Sequence, residues 1–234
     1  MMDIRISGWE NLPPNGPLIL VGNHFSWFEA PLMRVHLPYN AIWLGARELQ
    51  RNWLFRLLMR LFQAIPVWRG QVDRQALRQG LRVLESNGVL ALMPEGGINP
   101  ELQDMVRRGI PINHIRGIHS RKSAKLMRAR SGAGYLALRS KARILSVAFL
   151  GLEQVIDSWK RLRRPRVEMR IGHAFGPLTM ARGVRGRARK QAMQDAVDNM
   201  MLEVAALLPP ENRGDYEDAS KLQPVVDTEK EMTF

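Results

Sequence analysis

A chain of 234 residues without a cysteine is long enough to bury the core of a single α/β domain, and it excludes disulfides, thiolate zinc sites and a cysteine nucleophile. Its formal net charge is +13, yet from Pro210 onward seven acids stand against three bases, so residues 1–209 carry +17. Arginine supplies 28 of the 35 cationic side chains, and because guanidinium grips phosphate in a planar two-point hold, the expected partner is anionic: a lipid surface, a phosphorylated small molecule or a nucleic acid.

The opening residues, MMDIRISGWENLPP, have no charged stretch leading into a long apolar one, and no apolar run approaches the ~20 residues that span a bilayer. Neither a signal peptide nor a transmembrane helix is expected. Residues 18–21, LILV, read as a buried strand that Gly22 releases, leaving Asn23 and His24 at its mouth. A helix should open next, capped by Ser26 with Glu29 three residues on as the partner of a capping box. Within one continuous helix His24 and Glu29 would point about 140° apart. They can meet only if His24 stays in the loop, where a carboxylate could fix the imidazole tautomer for acid–base work. The capping box explains Glu29 equally well without catalysis.

Residues 41–45, AIWLG, read as a second strand. Residues 46–62 read as a helix with one narrow polar stripe of Asn52, Arg56, Arg60 and Gln63 on an otherwise apolar cylinder, which suits either a core helix or one lying at a membrane surface. Residues 65–68, IPVW, make a short strand that Pro66 moves toward an edge. A helix over 71–86 places Val72, Gln75, Ala76, Leu81, Val83 and Leu84 inside and Arg74, Arg78 and Arg82 outside, and Asn87-Gly88 closes it through the left-handed region. The strand at 88–93 runs into Pro94-Glu95-Gly96-Gly97, where glycines could let backbone N–H groups converge on an anion or simply make a tight turn. Residues 99–123, with His114 and His119 among basic residues, break every pattern and suggest a loop without a metal site. A helix over 125–140, a strand over 143–151 buried on both faces, a half-exposed strand over 166–172 and an amphipathic helix over 187–208 complete the body. Pro209-Pro210 ends that helix, dividing a domain of residues 1–209 from an acidic tail, 210–234, too poor in apolar residues to fold on its own.

These blocks resemble the lysophospholipid acyltransferase family, of the 1-acylglycerol-3-phosphate acyltransferase type, from Pro17 to about Leu178. The family's Asn-His, four residues, Asp pattern is met by Asn23-His24 and Glu29. A second block resembles Gly45 to Leu49 through Ala64-Ile65-Pro66-Val67-Trp68-Arg69, with Arg69 at the phosphate-contacting arginine. Pro-Glu-Gly-Thr-Arg-Ser is met by Pro94-Glu95-Gly96 and departs as Gly97-Ile98-Asn99, and a fourth block resembles Ile144 to Ala148 with Ser146 where proline is usual. The resemblance implies a single α/β domain, a mostly parallel central sheet flanked by helices, of the glycerol-phosphate-acyltransferase kind. It implies transfer of a fatty acyl chain from an acyl coenzyme A or acyl carrier protein thioester to a lysophospholipid hydroxyl, with no metal or cofactor. His24 would be the general base, Glu29 its orienting partner, Arg69 the phosphate grip, and Glu95, Gly96 and Gly97 the acceptor-positioning turn. The protein is expected at the cytoplasmic face of an anionic membrane, held peripherally. The alternative is a catalytically impaired membrane-binding protein of the same fold. Nucleic acid is disfavoured, because the arginines are spread through ordered elements rather than gathered into an aromatic-interleaved stripe.

Overall fold

The computed structural model describes residues 2–14, 16–68, 72–97 and 124–218. Arg69, the basic segment with His114 and His119, and the chain beyond 218 lie outside the described residues. Seven strands form one sheet: β1 (Asp3–Ser7), β2 (Leu18–Gly22), β3 (Ile42–Ala46), β4 (Ile65–Val67), β5 (Val89–Leu92), β6 (Arg143–Leu150) and β7 (Arg166–Phe175), in the order β1-β7-β6-β2-β5-β3-β4. All pairings are parallel except β6 with β7. Five strands therefore run one way, and their carboxyl ends share one rim of the sheet.

β2 sits between β6 and β5, and Leu18, Ile19, Leu20 and Val21 are all 0% exposed. Successive strand side chains point to opposite faces, so this unbroken apolar run feeds two cores, as a strand covered on both sides must. Ile19 and Val21 pack with Leu90, Ile144 and the helices α3 (Arg74–Glu85), α4 (Gly132–Ser140) and α6 (Gly186–Ala206). Leu18 and Leu20 pack with Leu145, Phe149 and the helices α1 (Glu29–His36) and α5 (Val155–Lys160). Gly134 lets α4 and α6 close up, since a Cβ there would lie 1.9 Å from the Met193 carbonyl oxygen.

The expected helix over 46–62 is broken. Arg47–Arg51 is a 3-10 turn, and α2 (Trp53–Leu61) starts afresh after Asn52, whose Oδ1 accepts the Leu54 N–H at 2.9 Å. The core-helix reading does not hold. Met59 is buried, while Trp53 is 70% and Leu61 65% exposed. β4 is an edge strand, as Pro66 suggested. α3 begins three residues later than expected because Asp73 caps it, accepting from Gln75 and Ala76 at 3.1 and 3.0 Å, and Val72, expected inside, is exposed. Asn87, with φ +60, closes that helix. The helix expected over 125–140 forms only from Gly132, because the preceding residues bond to other parts of the molecule. β1 and the length of β7 went unread in the sequence. The tail also differs from expectation. Two 3-10 turns, Pro210–Asn212 and Gly214–Tyr216, pack on the body and bury Tyr216, so the packed domain extends past residue 209.

Asp73 also accepts the Trp68 N–H at 3.1 Å. Partial burial pushes its carboxyl up, but the N–H bonds from Ala76, Trp68 and Gln75 and the Arg47 charge outweigh this and hold it below its ordinary 3.8. Its stabilisation is present above that ordinary value and is lost as pH falls through the depressed folded-state value. Asp73→Ala is expected to cost about 1 kcal/mol at neutral pH. Urea denaturation should show that gap between the two proteins close in strong acid; a gap independent of pH would contradict the assignment.

Candidate active site

The rim of the parallel strands brings the candidate residues His24, Glu29 and Glu95 together. Asn23, 0% exposed, follows the last residue of β2 and replaces backbone pairing with its side chain. Its Nδ2 donates to the Phe149 carbonyl at 3.0 Å and its Oδ1 accepts the Phe149 N–H at 2.8 Å. The amide thus continues the β2–β6 ladder for one more rung while freeing the main chain to turn. His24 comes next, with its backbone N–H donating to Glu95 Oε1 at 2.8 Å.

The imidazole meets Glu29 across the turn. Nδ1 lies 3.4 Å from Oε2, with the carboxylate fully buried and the histidine side chain 24% exposed. Among the described residues neither of these two atoms has a hydrogen-bond partner, so they are left for each other, a few tenths of an ångström beyond a normal hydrogen bond. The other oxygen, Oε1, accepts the N–H groups of Phe25, at 2.8 Å, and Ser26. The Glu29 half of the expected capping box therefore exists, but Ser26 is not the cap residue. α1 begins at Glu29 itself, after Phe28, which makes no side-chain cap bond. One carboxylate shapes the turn with one oxygen and faces the imidazole with the other.

Glu95 is 0% exposed at the end of β5. While Oε1 holds His24, Oε2 accepts the Met127 N–H at 2.9 Å. Glu95, expected to help position an acceptor, braces two backbone segments. Gly96 takes φ +74, and the place of its missing Cβ is filled by Arg130, whose Nε and Cδ would lie 2.9 and 3.0 Å from such an atom. Gly97 is buried beside it. Trp68, the neighbour of Arg69, carries the Arg47 guanidinium 4.6 Å above its ring. Trp27 joins the His24 turn to α2 through Phe55, ring centroids 5.3 Å apart.

Residues 124–131 close the site from outside, held by the segment after α6. Leu126 donates to Asn212 O, Arg128 to Asp215 Oδ2 and Ala129 to the Tyr216 hydroxyl. Burial above all, with Asp198 and Glu95 nearby, pushes the Tyr216 phenol up, against the lowering bond from Ala129. It stays neutral and donates to Asp198 Oδ1 at 2.9 Å. Among the described residues no three His, Asp or Glu converge as metal ligands would. Arg130 and the anchoring tail residues had no signal in the sequence; Asn23 had one in standing beside His24.

A model of the Acyltransferase family matches residues 3–150, a span that includes His24, Glu29, Glu95 and Arg130. Among solved structures, the 1-acyl-sn-glycerophosphate (LPA) acyltransferase PlsC from Thermotoga maritima superposes with a TM-score of 0.53 at 18% identity, over 84% of this chain and 69% of that one. At that identity the likeness is one of fold.

Asn23→Ala should leave the Phe149 N–H and carbonyl without their partner in a buried position. The expected cost is about 1–3 kcal/mol, read as a lower urea midpoint with an unchanged slope. A neutral substitution would mean that the side-chain rung contributes nothing to the fold.

Proposed function

Since the chain belongs to the acyltransferase family, we propose that it moves a fatty acyl chain from an acyl coenzyme A or acyl carrier protein thioester to the hydroxyl of a lysophosphatidic-acid-like lysophospholipid, in phospholipid synthesis or remodelling. The observation that carries this reading is the part-exposed His24 imidazole with its Nδ1 turned to a fully buried Glu29 at the mouth of β2. Nε2 then faces the acceptor and takes its hydroxyl proton. The oxygen attacks the thioester carbonyl carbon, the carbon–sulfur bond breaks, and the leaving thiolate recovers the proton from the imidazolium. Glu29 holds the ring in one tautomer and stabilises its charged form. Glu95 keeps the His24 backbone in place, the Gly96-Gly97 turn helps to position the acceptor, and Arg69 binds its phosphate.

Membrane association belongs to the same proposal. Acceptor and product are amphiphiles, and α2 offers Trp53, Leu54, Leu57 and Leu61 to the outside, each at least 45% exposed, with Arg56 and Arg60 among them. An apolar helix with interspersed arginines suits the boundary of an anionic bilayer. No helix among the described residues is long and apolar enough to cross a membrane, which suits peripheral attachment to the cytoplasmic leaflet.

His24→Ala should lower transfer by about 10²–10⁴-fold, the usual worth of a general base, with its melting temperature kept. Glu29→Gln should retain an acceptor for the Phe25 and Ser26 N–H groups and so keep most of the stability, yet lose most of the turnover, whereas Glu29→Asp should keep measurable turnover. Mass-spectrometric transfer assays over a panel of lysolipids and both donor types provide the test. A folded His24→Ala protein within tenfold of wild type removes His24 from the mechanism.

Because Trp53 and Leu61 are mostly exposed, changing both to Ser should leave the melting temperature unaltered. Cosedimentation with anionic liposomes should weaken by tenfold or more, as the loss of roughly 1.5–3 kcal/mol per apolar side chain implies, and the remaining binding should fall with salt. Unchanged binding would place the membrane surface elsewhere.

A further inference from the structure

We propose that the end of α5, residues 159–164 with the sequence WKRLRR, is a second lipid-contacting element, separate from α2, that inserts Leu162 and Trp159 into the headgroup boundary of an anionic bilayer. It rests on the membrane reading of the proposed function only for the class of partner; the placement and build of the segment carry the rest.

The connection between β6 and β7 stands on the rim that carries His24. β6 runs parallel to β2, so its end at Leu150 lies beside the mouth of β2, and β7 starts back from there with Glu168 paired to Leu150. α5 leaves that rim, and the chain returns to it at Pro165, whose carbonyl accepts the Asp3 N–H at 2.9 Å. Two ring contacts tie this excursion to the site. Phe28 meets Trp159 edge-on, centroids 5.5 Å apart, and Trp27, its neighbour in the His24–Glu29 turn, meets Phe55 of α2. α2 and the end of α5 therefore flank the same turn.

The end of α5 is built in a way that packing does not explain. The Arg163 N–H donates to the Ser158 carbonyl at 2.8 Å and the Leu162 N–H to the Trp159 carbonyl at 3.0 Å, the paired bonds of a helix end whose left-handed residue is ordinarily glycine. Here that residue is Leu162, at φ +54 and 97% exposed. A leucine in this conformation suffers strain that glycine avoids, and it buries nothing in return. Trp159, one turn earlier, is 39% exposed. The charge around them is one-sided, because from Asp157 to Arg166 one acid stands against five cations. Lys160 pairs with Asp157 at 3.5 Å and Arg164 donates to the Met2 carbonyl at 3.2 Å, yet all five cationic residues are exposed. Lys160 and Arg161 complement the carboxyl end of a helix, which accounts for their charge and not for the leucine. An apolar tip ringed by cations fits a surface that is anionic above and apolar below, which describes an anionic lipid boundary. The competing partner, an acidic protein face, would take the charges and leave Leu162 in water, and it makes different forecasts.

Leu162→Gly removes the strain and the apolar side chain together. In the full-length protein its melting temperature should hold or rise, while affinity for vesicles of phosphatidylcholine mixed with phosphatidylglycerol should fall roughly 10- to 100-fold, the worth of withdrawing a leucine side chain from lipid. Since the chain has no cysteine, Leu162→Cys can carry a single environment-sensitive fluorophore, whose emission should shift to the blue on those vesicles and stay unshifted on phosphatidylcholine alone. Arg161→Gln with Arg163→Gln should weaken binding to the mixed vesicles and flatten its dependence on salt. A lower melting temperature for Leu162→Gly with unchanged vesicle affinity would overturn the assignment, and so would a fluorophore that stays in water while the protein binds. A loss confined to the arginine variants would overturn it in favour of an acidic protein face. If the protein with Trp53→Ser and Leu61→Ser binds like wild type while the fluorophore at position 162 enters lipid, the α5 contact stands and the α2 reading falls. If that protein loses binding and Leu162→Gly does not, the reverse holds.

Discussion

The site depends on a carboxylate that has no solvent exposure. Glu95 links the backbone after β2 to the backbone at Met127. Burying a charged group costs several kcal/mol unless hydrogen bonds replace its water, so the two N–H groups are as necessary to Glu95 as Glu95 is to them. That mutual requirement places a loop histidine to within hydrogen-bond tolerance although neither flanking element contains it. Asn23 acts in the same manner on the other side, joining the histidine's neighbour to β6 through both ends of its amide. His24 is therefore held through its backbone from β5 and from β6, and its ring is left to Glu29.

Glu29 shows that shaping the turn and facing the imidazole need not be alternatives. A carboxylate has two oxygens with separate directions. Here one satisfies the N–H groups of Phe25 and Ser26, which the turn would otherwise strand in a buried position, and the other faces His24 Nδ1. The turn bonds orient the carboxylate, and the oriented carboxylate can then orient the imidazole. Glutamate has one methylene more than the aspartate of the family pattern, and starting α1 at Glu29 itself lets that longer side chain fold back over the turn.

Much of this was legible from side-chain patterning. The run LILV read as a buried strand, Pro66 pointed toward an edge or a bend, and Gly22 supplied the break that lets His24 stay off the helix. What failed to show were features set by long-range bonds. Residues 124–131 carry helix-compatible side chains, yet their N–H groups are taken by Glu95, Asp215, Tyr216 and backbone oxygens, and a helix cannot form from donors already engaged. The tail misled for a related reason. Its composition is too polar for a core, but Tyr216 buries a ring and joins Asp198 to Ala129, and with Asn212 and Asp215 it fastens the segment up to residue 218 to the body. Asn52 broke the helix over 46–62 by offering Leu54 a side-chain acceptor, a choice that periodicity does not record.

These anchors also give the molecule two mechanically different sides. At the rim, His24, Glu29, Glu95 and the strip before α4 are joined by bonds to backbone groups of β5, β6 and the segment after α6, so displacing one of them requires breaking several. On the β3 and β4 side, α2 rests on Met59 and on ring contact between Phe55 and Trp27, with most of its remaining apolar surface outward. The proposed reaction between an amphiphilic acceptor and a thioester would call for that division: the reacting groups would have to be held to fractions of an ångström, while a surface meeting lipid would have to adapt to a fluid partner. Trp27 connects the two, since it lies between His24 and Glu29 in the chain and its ring meets Phe55 of the exposed helix in a tilted contact. If α2 lies on a bilayer as proposed, what orients it acts also on the turn that carries His24 and Glu29.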